Sequence, residues 1–337
     1  MRIQPSGHEF SVAADEKVLD GALREGIAFP YGCRNGACGS CKGRLVDGDI
    51  HYPDSLPHGL SALEAEKGFA LFCQAQAVSD LEIELREFAA GETEVRTFPC
   101  RVARKERLAD DVMAVFLKLP DTQRMQFLAG QYIDIVLRDG RRRAFSLANA
   151  PHEDDFLELH VRHVPGGEFS EFVFERMQEK AVLRIRGPLG SFYLRPESQR
   201  PVIFLVGGTG FAPVKGMLEH ALFKGLERPM HLYRGVRARR DLYMDERIRQ
   251  WQAANDKLSY IPVLSEPGDD DDWQGRTGFV HQAVLDDFDD LSGFDVYASG
   301  PPVMVNAARD PFIRQGLDPA HLYSDAFEFA FETGHNT

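Results

Sequence analysis

The last third of the chain has the most regular pattern of apolar and amphipathic segments. A continuous apolar run at 201–208, "PVIFLVGG", is typical of a strand that is buried on both faces of a parallel sheet. Predicted helices and further apolar strands then alternate, with helices at 212–225, 245–255 and 281–288 and strands at 230–236, 258–265 and 294–300. This order predicts an α/β domain with a doubly wound parallel sheet over residues 198–337.

Residues 98–197 show a different pattern, in which apolar and polar positions alternate over short stretches. Asp-Gly, Pro-Gly-Gly and Gly-Pro turns separate these stretches. They lie at 100–108, 112–119, 131–137, 143–149, 156–164 and 181–190. A single stretch, 170–177, has helical spacing. Many short strands at regular spacing predict a closed antiparallel barrel.

Residues 1–92 mix both patterns and predict a small α+β domain. Strand-like stretches at 2–14, 41–50 and 81–88 accompany a helical stretch at 16–26. Ser61 and Glu64 have the spacing of a capping box, which predicts a short helix at 61–68. The polar stretch 89–96 is the predicted linker to the barrel. The chain is therefore expected to be a multidomain protein of α+β and α/β units.

Charge is distributed unevenly over these segments and limits the classes of partner. The 337 residues carry a formal net charge of -13. Residues 1–92 hold 8 Lys and Arg against 15 Asp and Glu, and residues 198–337 hold 14 against 21, whereas the middle holds 17 against 16. This balance argues against a nucleic-acid partner. Because no signal peptide or apolar span is recognisable, we expect a cytoplasmic protein without a membrane partner. We also expect a monomer.

Cysteine spacing supplies the first candidate chemistry. Four of the five cysteines occur early: Cys33, Cys38, Cys41 and Cys73. The pattern C-x4-C-x2-C, with the fourth cysteine further along, is that of plant-type 2Fe-2S ligands, and the glycines of "YGCRNGACGSC" allow the backbone to approach the sulfur atoms. A zinc site is the alternative, but structural zinc favours two C-x2-C pairs and this sequence has one.

Several motifs together resemble a known family. Residues 1–92 resemble a plant-type ferredoxin domain, which implies a β-grasp fold and four cysteine ligands. "RAFS" (143–146) and "PGGEFS" (165–170) are similar to the R-x-Y-S and G-x-x-S elements of the flavin-binding barrel of ferredoxin-NADP reductase-like proteins. "FLVGGTGFAPV" (204–214) and "YASGPP" (297–302) resemble the nicotinamide-binding domain of the same family.

The resemblance implies a flavin site in the barrel, with FAD as the expected cofactor. Its arginine would neutralise flavin phosphate, its aromatic ring would pack on the isoalloxazine, and its serine hydroxyl would point to flavin N5. The chain has phenylalanine where many members have tyrosine, which keeps the packing face. The implied contacts are Arg143, Phe145, Ser146, His160, Val161, Arg162, Gly167 and Ser170.

The glycine loop after the first strand of the third segment offers free N–H donors to a pyrophosphate. Pro213 stands where the third glycine of the usual dinucleotide fingerprint would lie. The resemblance implies nicotinamide-nucleotide contacts at Gly208, Thr209, Gly210, Arg237, Ser299, Gly300 and Pro301. The arginine cluster at 237–240 suits the 2'-phosphate of NADPH, but "GVRARRDLY" resembles NADH-using members, so we expect NADH.

Taken in order, the three segments resemble the one-chain reductases of multicomponent oxygenases and the CDP-6-deoxy-glucoseen reductase-like group. The resemblance implies that electrons pass from NADH through FAD to the cluster, and then to a separate oxygenase, hydroxylase or dehydrase component. It also implies that Ser146 and Phe327 act at the flavin, the latter as a gate for nicotinamide. The alternatives are an NADPH-using enzyme, a free flavin or ferric reductase, and a redox-sensing module without turnover.

Overall fold

The computed structural model describes residues 1–25, 27, 29–85, 95–268 and 271–327. The predicted linker lies almost entirely outside the described residues, as does the chain after Phe327. None of the helices within the described ranges is long and apolar enough to cross a membrane.

The N-terminal unit is a mixed sheet accompanied by two short helices. In the order β1-β6-β2-β4, β1 pairs parallel with β6, and a separate ribbon joins β3 and β5. The predicted capping box is confirmed, because Ser61 and Glu64 exchange side-chain and backbone hydrogen bonds at the start of α2. The strand predicted over 2–14 is shorter than expected. The elements are β1 (Arg2–Gln4), α1 (Val18–Arg24), β2 (Lys42–Asp47), β3 (Ile50–His51), α2 (Ala62–Glu66), β4 (Phe69–Leu71), β5 (Gln76–Ala77) and β6 (Glu82–Glu84).

The middle unit is the predicted antiparallel barrel. Its strand order is β10-β9-β12-β7-β8-β11, and a bridge between Leu147 and Leu159 joins the two edge strands. The predicted helix at 170–177 begins as α3 (Glu168–Glu171) and continues as a π-helical turn (Phe172–Arg176). The strands are β7 (Arg96–Ala109), β8 (Val112–Lys118), β9 (Tyr132–Val136), β10 (Arg142–Ser146), β11 (Leu157–Arg162) and β12 (Val182–Leu189).

The C-terminal unit is the predicted parallel sheet, in the order β16-β15-β14-β13-β17-β18. All six residues of the central strand β13 are buried, which explains its unbroken apolar pattern. The strands are β13 (Val202–Gly207), β14 (Met230–Val236), β15 (Leu258–Leu264), β16 (Arg276–Thr277), β17 (Asp295–Gly300) and β18 (Leu322–Ala326). The helices are α4 (Phe211–Phe223), α5 (Asp245–Ala254), α6 (Val280–Asp287) and α7 (Pro302–Arg314).

The two-residue strand β16 was not among the predicted elements. Nor were two longer elements, α7 and β18. They matter for the site, because α7 starts directly after the "YASGP" stretch and β18 ends directly before Phe327.

Candidate electron-transfer site

The four cysteines of the predicted metal site lie in two pairs. Cys33 and Cys38 face each other, and the backbone N–H of each donates to the other's Sγ at 3.3 Å. Cys73 lies beside Cys41, with its N–H 3.4 Å from Cys41 Sγ. Two thiol pairs match a binuclear cluster that takes two thiolates at each iron.

The thiol chemistry also fits a cluster better than a single zinc ion. Among the residues that the structure describes, no three His, Cys, Asp or Glu side chains converge as one metal ion would require. The neighbouring Cys38 side chain lowers the pKa of Cys33 to about 6, and the Cys41 side chain lowers the pKa of Cys73. One thiol of each pair is therefore already disposed to ionise, as a metal ligand must.

The loop that carries the first three cysteines contacts both of the other units. The Tyr132 hydroxyl at the start of β9 donates to the Gly32 carbonyl at 3.1 Å, and the Ser191 hydroxyl donates to the Ser40 carbonyl at 3.3 Å. From β18, the Ser324 hydroxyl donates to the Cys38 carbonyl at 2.7 Å. The cysteine loop is thus docked on its own chain.

The predicted nicotinamide residues meet at one edge of the parallel sheet. The chain runs from β13 outward to β16 and then returns to β17 on the other side, so strand order reverses between β13 and β17. Ligands of doubly wound sheets bind at the carboxyl ends of the strands at such a point. Six predicted residues lie there: Gly208, Thr209, Gly210, Ser299, Gly300 and Pro301. Arg237, the seventh, is exposed just after the end of neighbouring β14.

The close approach of the two loops explains their glycines. A Cβ on Gly210 would lie 2.2 Å from the Ser299 carbonyl oxygen, so no larger residue fits there. The Ser299 hydroxyl is buried and finds no hydrogen-bond partner in the described part of the chain. A buried hydroxyl of this kind normally has a partner. The crevice therefore fits a polar ligand such as a nicotinamide nucleotide.

Six of the eight predicted flavin residues lie on β10 and β11, next to this crevice, and Gly167 and Ser170 lie at the start of α3. Phe145 is half-buried, and its ring lies 5.2 Å from that of Phe169. Arg143 lies on the same strand, two residues earlier and on the same face. Arg162 reaches the glycine loop, since its Nη1 lies 3.1 Å from where a Cβ on Gly208 would be. Arg162 thus links the barrel to the nicotinamide crevice, which suits a flavin that must meet nicotinamide.

The side chains of His160, Val161 and Ser170, three of the predicted flavin residues, are buried within the protein. His160 is buried and contacts Glu158 at 2.9 Å and the Tyr243 hydroxyl at 3.2 Å, and burial lowers its pKa. The Ser170 hydroxyl accepts from the Val164 N–H at 3.1 Å, within the turn before α3. Val161 belongs to the barrel core. Their predicted contacts to the cofactor, like that of Gly167 beside Ser170, would therefore come from the backbone.

Asp325 is a candidate that the sequence did not reveal. Its carboxylate lies 3.4 Å from the hydroxyl of Ser146. Burial and, secondarily, the negative charge of Cys33 raise the pKa of Asp325 to about 7. Phe327 follows two residues later, and its N–H donates to the Gly300 carbonyl at 2.9 Å. The carboxyl group of Asp325 is therefore placed among the cysteine loop, the flavin strand and the nicotinamide crevice.

Comparisons with known proteins assign a family model to each unit. Residues 1–78 match the 2Fe-2S iron-sulfur cluster binding domain, residues 99–193 the oxidoreductase FAD-binding domain and residues 204–310 the oxidoreductase NAD-binding domain.

The similarity extends over whole relatives. A CDP-6-deoxy-L-threo-D-glycero-4-hexulose-3-dehydrase reductase of Yersinia pestis is 41% identical over 97% of this chain and 98% of that protein. Terephthalate 1,2-dioxygenase reductase component 2 of a Comamonas species is 35% identical over 100% and 99%. The crystal structure of a cytochrome P450 reductase from Amycolatopsis has a TM-score of 0.72 and 32% identity, covering 96% of this chain and 98% of that one.

Proposed function

This chain belongs to the family of reductases that combine a 2Fe-2S domain, an FAD-binding domain and an NAD-binding domain in one polypeptide, and we propose that its cysteine loop, flavin strand and nicotinamide crevice form one electron path. The observation that carries the proposal is the position of Asp325, which contacts Ser146 at 3.4 Å and directly follows Ser324, whose hydroxyl donates to the Cys38 carbonyl at 2.7 Å. When bound, NADH supplies a hydride, FAD accepts its two electrons together, and the cluster passes them on singly, so one NADH serves two one-electron transfers.

The crevice residues bind and orient the nicotinamide nucleotide in this proposal. Backbone N–H groups at Gly208–Gly210 and the start of α4 hold the pyrophosphate. The buried Ser299 hydroxyl would give the nicotinamide amide a hydrogen-bond partner, and the Phe327 ring would act as a gate for the nicotinamide at the flavin. NADH rather than NADPH is the proposed donor, with Arg237 at the adenosine end.

The barrel residues hold the flavin. Arg143 and Arg162 supply positive charge to its phosphates, as guanidinium groups do well. Phe145 packs on the ring system, and the Ser146 hydroxyl points to the N5 region. The cluster is held by Cys33, Cys38, Cys41 and Cys73, and their loop is docked beside this site.

The electrons leave the chain to a separate redox partner protein. Relatives serve a nucleotide-sugar dehydrase and a dioxygenase, and the 41% identity makes a dehydrase of the first kind the first acceptor to test. The acidic N-terminal segment favours a partner with a basic surface, so turnover with the acceptor should fall as ionic strength rises. We further propose that the protein is cytoplasmic, without nucleic-acid or membrane partners, and that it is a monomer. Light scattering on the purified protein would test the monomeric state.

An anaerobic NADH titration of the holoenzyme tests the electron path. Flavin absorbance should fall first, and the electron paramagnetic resonance signal of the reduced cluster should follow. If the flavin were reduced while the cluster stayed oxidised throughout, the internal path would be wrong. Slow NADH oxidation with an artificial acceptor would instead favour the redox-sensing module.

A further inference from the structure

Arg309 of α7 is a buried cation at the boundary between the C-terminal and N-terminal units, with 1% of its surface exposed. Its Nη1 lies 3.4 Å from Oε1 of Glu64, a residue of the N-terminal unit. Its Nη2 donates to the Ser324 hydroxyl at 3.0 Å and approaches the Cys38 carbonyl at 3.5 Å. One guanidinium therefore contacts a carboxylate of the N-terminal unit and the backbone of a predicted cluster ligand.

Glu64 is held firmly by its own unit. Its carboxylate accepts from Lys42 Nζ at 2.8 Å and from the Ser61 N–H at 2.9 Å, in the capping box of α2. The Glu64 side chain is completely buried when the units are docked. Buried ion pairs of this kind give little net stability, because both charges lose their hydration, but they favour one geometry over others. The contact is thus better suited to fixing the docked orientation than to making docking tight.

Gly39 shows how close the cysteine loop comes to Arg309. Its φ is +78°, and a Cβ there would lie 2.8 Å from Arg309 Nη2 and 3.0 Å from Ser324 Oγ. A side chain at position 39 would push the loop away from the C-terminal unit. The loop between Cys38 and Cys41 is therefore shaped to receive this guanidinium.

The supporting elements of this contact also frame the nicotinamide crevice. Helix α7 begins at Pro302, next to Gly300 and Pro301, and Ser324 directly precedes Asp325 on β18. A cysteine loop held by Arg309 and Ser324 is therefore held relative to Ser146 as well.

We propose that Arg309 is a positioning residue that holds the cysteine loop against the C-terminal unit, so that the cluster lies within electron-transfer reach of the flavin. The inference rests on the proposed function, in which the flavin reduces the cluster. Electron transfer between bound cofactors slows steeply with distance, so loosening this contact should slow that step. Hydride transfer from NADH to the flavin does not cross the contact.

The test compares Arg309→Gln, Glu64→Gln and the double variant with wild-type holoenzyme. Arg314→Gln is the matched control, because Arg314 lies on the same helix with 69% of its side chain exposed. Anaerobic stopped-flow spectroscopy follows flavin and cluster reduction separately. Hydrogen exchange of the oxidised protein without NADH measures protection of the loop at 31–41. Arg309→Lys keeps the charge but cannot make the three contacts together. It replaces Arg309→Gln in the test if that variant fails to fold.

Arg309→Gln should slow cluster reduction about tenfold or more, as expected from loss of a charged hydrogen bond, with flavin reduction within about twofold of wild type. The amides of the loop at 31–41 should exchange faster in Arg309→Gln than in the wild type. Glu64→Gln should show the same two effects, and the double variant should show little more than either single variant. The inference would be overturned if Arg309→Gln showed the same hydrogen exchange and the same rate of cluster reduction as the wild type. It would also be overturned if this variant slowed flavin reduction as much as cluster reduction. A wild-type cluster that NADH never reduces would refute the proposed function instead.

Discussion

The hydroxyl of Ser146 donates to the carboxylate of Asp325 at 3.4 Å, across the boundary between the barrel and the parallel-sheet unit. The two residues are 179 positions apart in the sequence. Because Ser146 is proposed to contact the flavin, Asp325 fixes the orientation of a hydroxyl at the reacting end of the cofactor.

Removing this pair should slow flavin reduction. Ser146→Ala and Asp325→Asn are each expected to lower the rate of flavin reduction by NADH about tenfold or more, as for loss of a positioned hydrogen-bond donor. Anaerobic stopped-flow absorbance measures this rate. Ser292→Ala is the control, since Ser292 hydrogen bonds to Asp290 at an exposed site. Wild-type rates in both site variants would remove Ser146 from the hydride-transfer site.

The cysteine assignment predicts a sharp contrast between two buried thiols. Cys41→Ser should lose the visible absorbance of the cluster and its iron, because one iron would lack a thiolate. Cys100→Ser should keep both, since Cys100 lies in the barrel core, where its thiol donates weakly to the Leu183 carbonyl at 3.7 Å. Iron analysis of the purified variants decides the matter. Full iron content in Cys41→Ser would contradict the proposed ligand set.

Arg237 should affect nucleotide binding rather than chemistry. Arg237→Ala is expected to raise the KM for NADH by roughly three- to tenfold with little change in kcat, since it would remove binding shared by ground and transition states. Steady-state kinetics with an artificial acceptor gives both constants, and kcat/KM should favour NADH over NADPH. Arg249→Ala is the control, because Arg249 pairs with Asp245 on α5. An unchanged KM would place the adenosine end elsewhere.

Buried His160 should make the stability of the protein fall in mild acid. Burial lowers its pKa from the ordinary 6.5, and the groups facing it are Glu158, Tyr243, Lys215 and Arg234. Below pH 6.5 the unfolded chain binds a proton that the folded chain excludes, so the free energy of unfolding falls as pH drops.

Urea unfolding of the wild type should therefore show a lower free energy of unfolding at about pH 5.5 than at about pH 7.5, in part from this group. His160→Gln should reduce the loss, while exposed His58→Gln should not. An equal pH dependence in wild type and His160→Gln would show that other groups cause it.

Gly36 should be needed for cluster assembly but not for hydride transfer. Its φ is +84°, and a Cβ would lie 2.9 Å from both Gln74 Cγ and Pro57 Cβ. Gly36→Val should therefore lower iron content or cluster reduction severalfold, because a β-branched residue disfavours this backbone conformation. Flavin reduction by NADH should stay near the wild-type rate. Parallel loss of flavin reduction would contradict the division of roles between the units.

The sequence revealed features that depend on local spacing. The cysteine pattern, the glycine loop and the capping box of Ser61 and Glu64 each lie within a short stretch, except for Cys73. The strand and helix patterns likewise follow from burial of neighbouring positions, as in the fully buried β13.

The features that the sequence did not reveal depend on contacts between units. Arg309 and Glu64 are 245 positions apart, and Tyr132 contacts Gly32 across 100 positions. Helix α7 contains two prolines; Pro302 at its start is favourable, but Pro311 in its interior weakens the helical pattern. The family resemblance implies that His160 is a neighbour of the cofactor. In the structure, its ring contacts Glu158 and Tyr243.

The contact between Gly39 and Arg309 gives the cysteine loop a closed side and an open side. Any acceptor protein that approached the closed side would first have to displace Arg309 and Ser324. The open side presents Arg34 and Asn35, which are exposed. In the proposed path, an acceptor that bound the open side would receive electrons there without the loop first leaving its own chain.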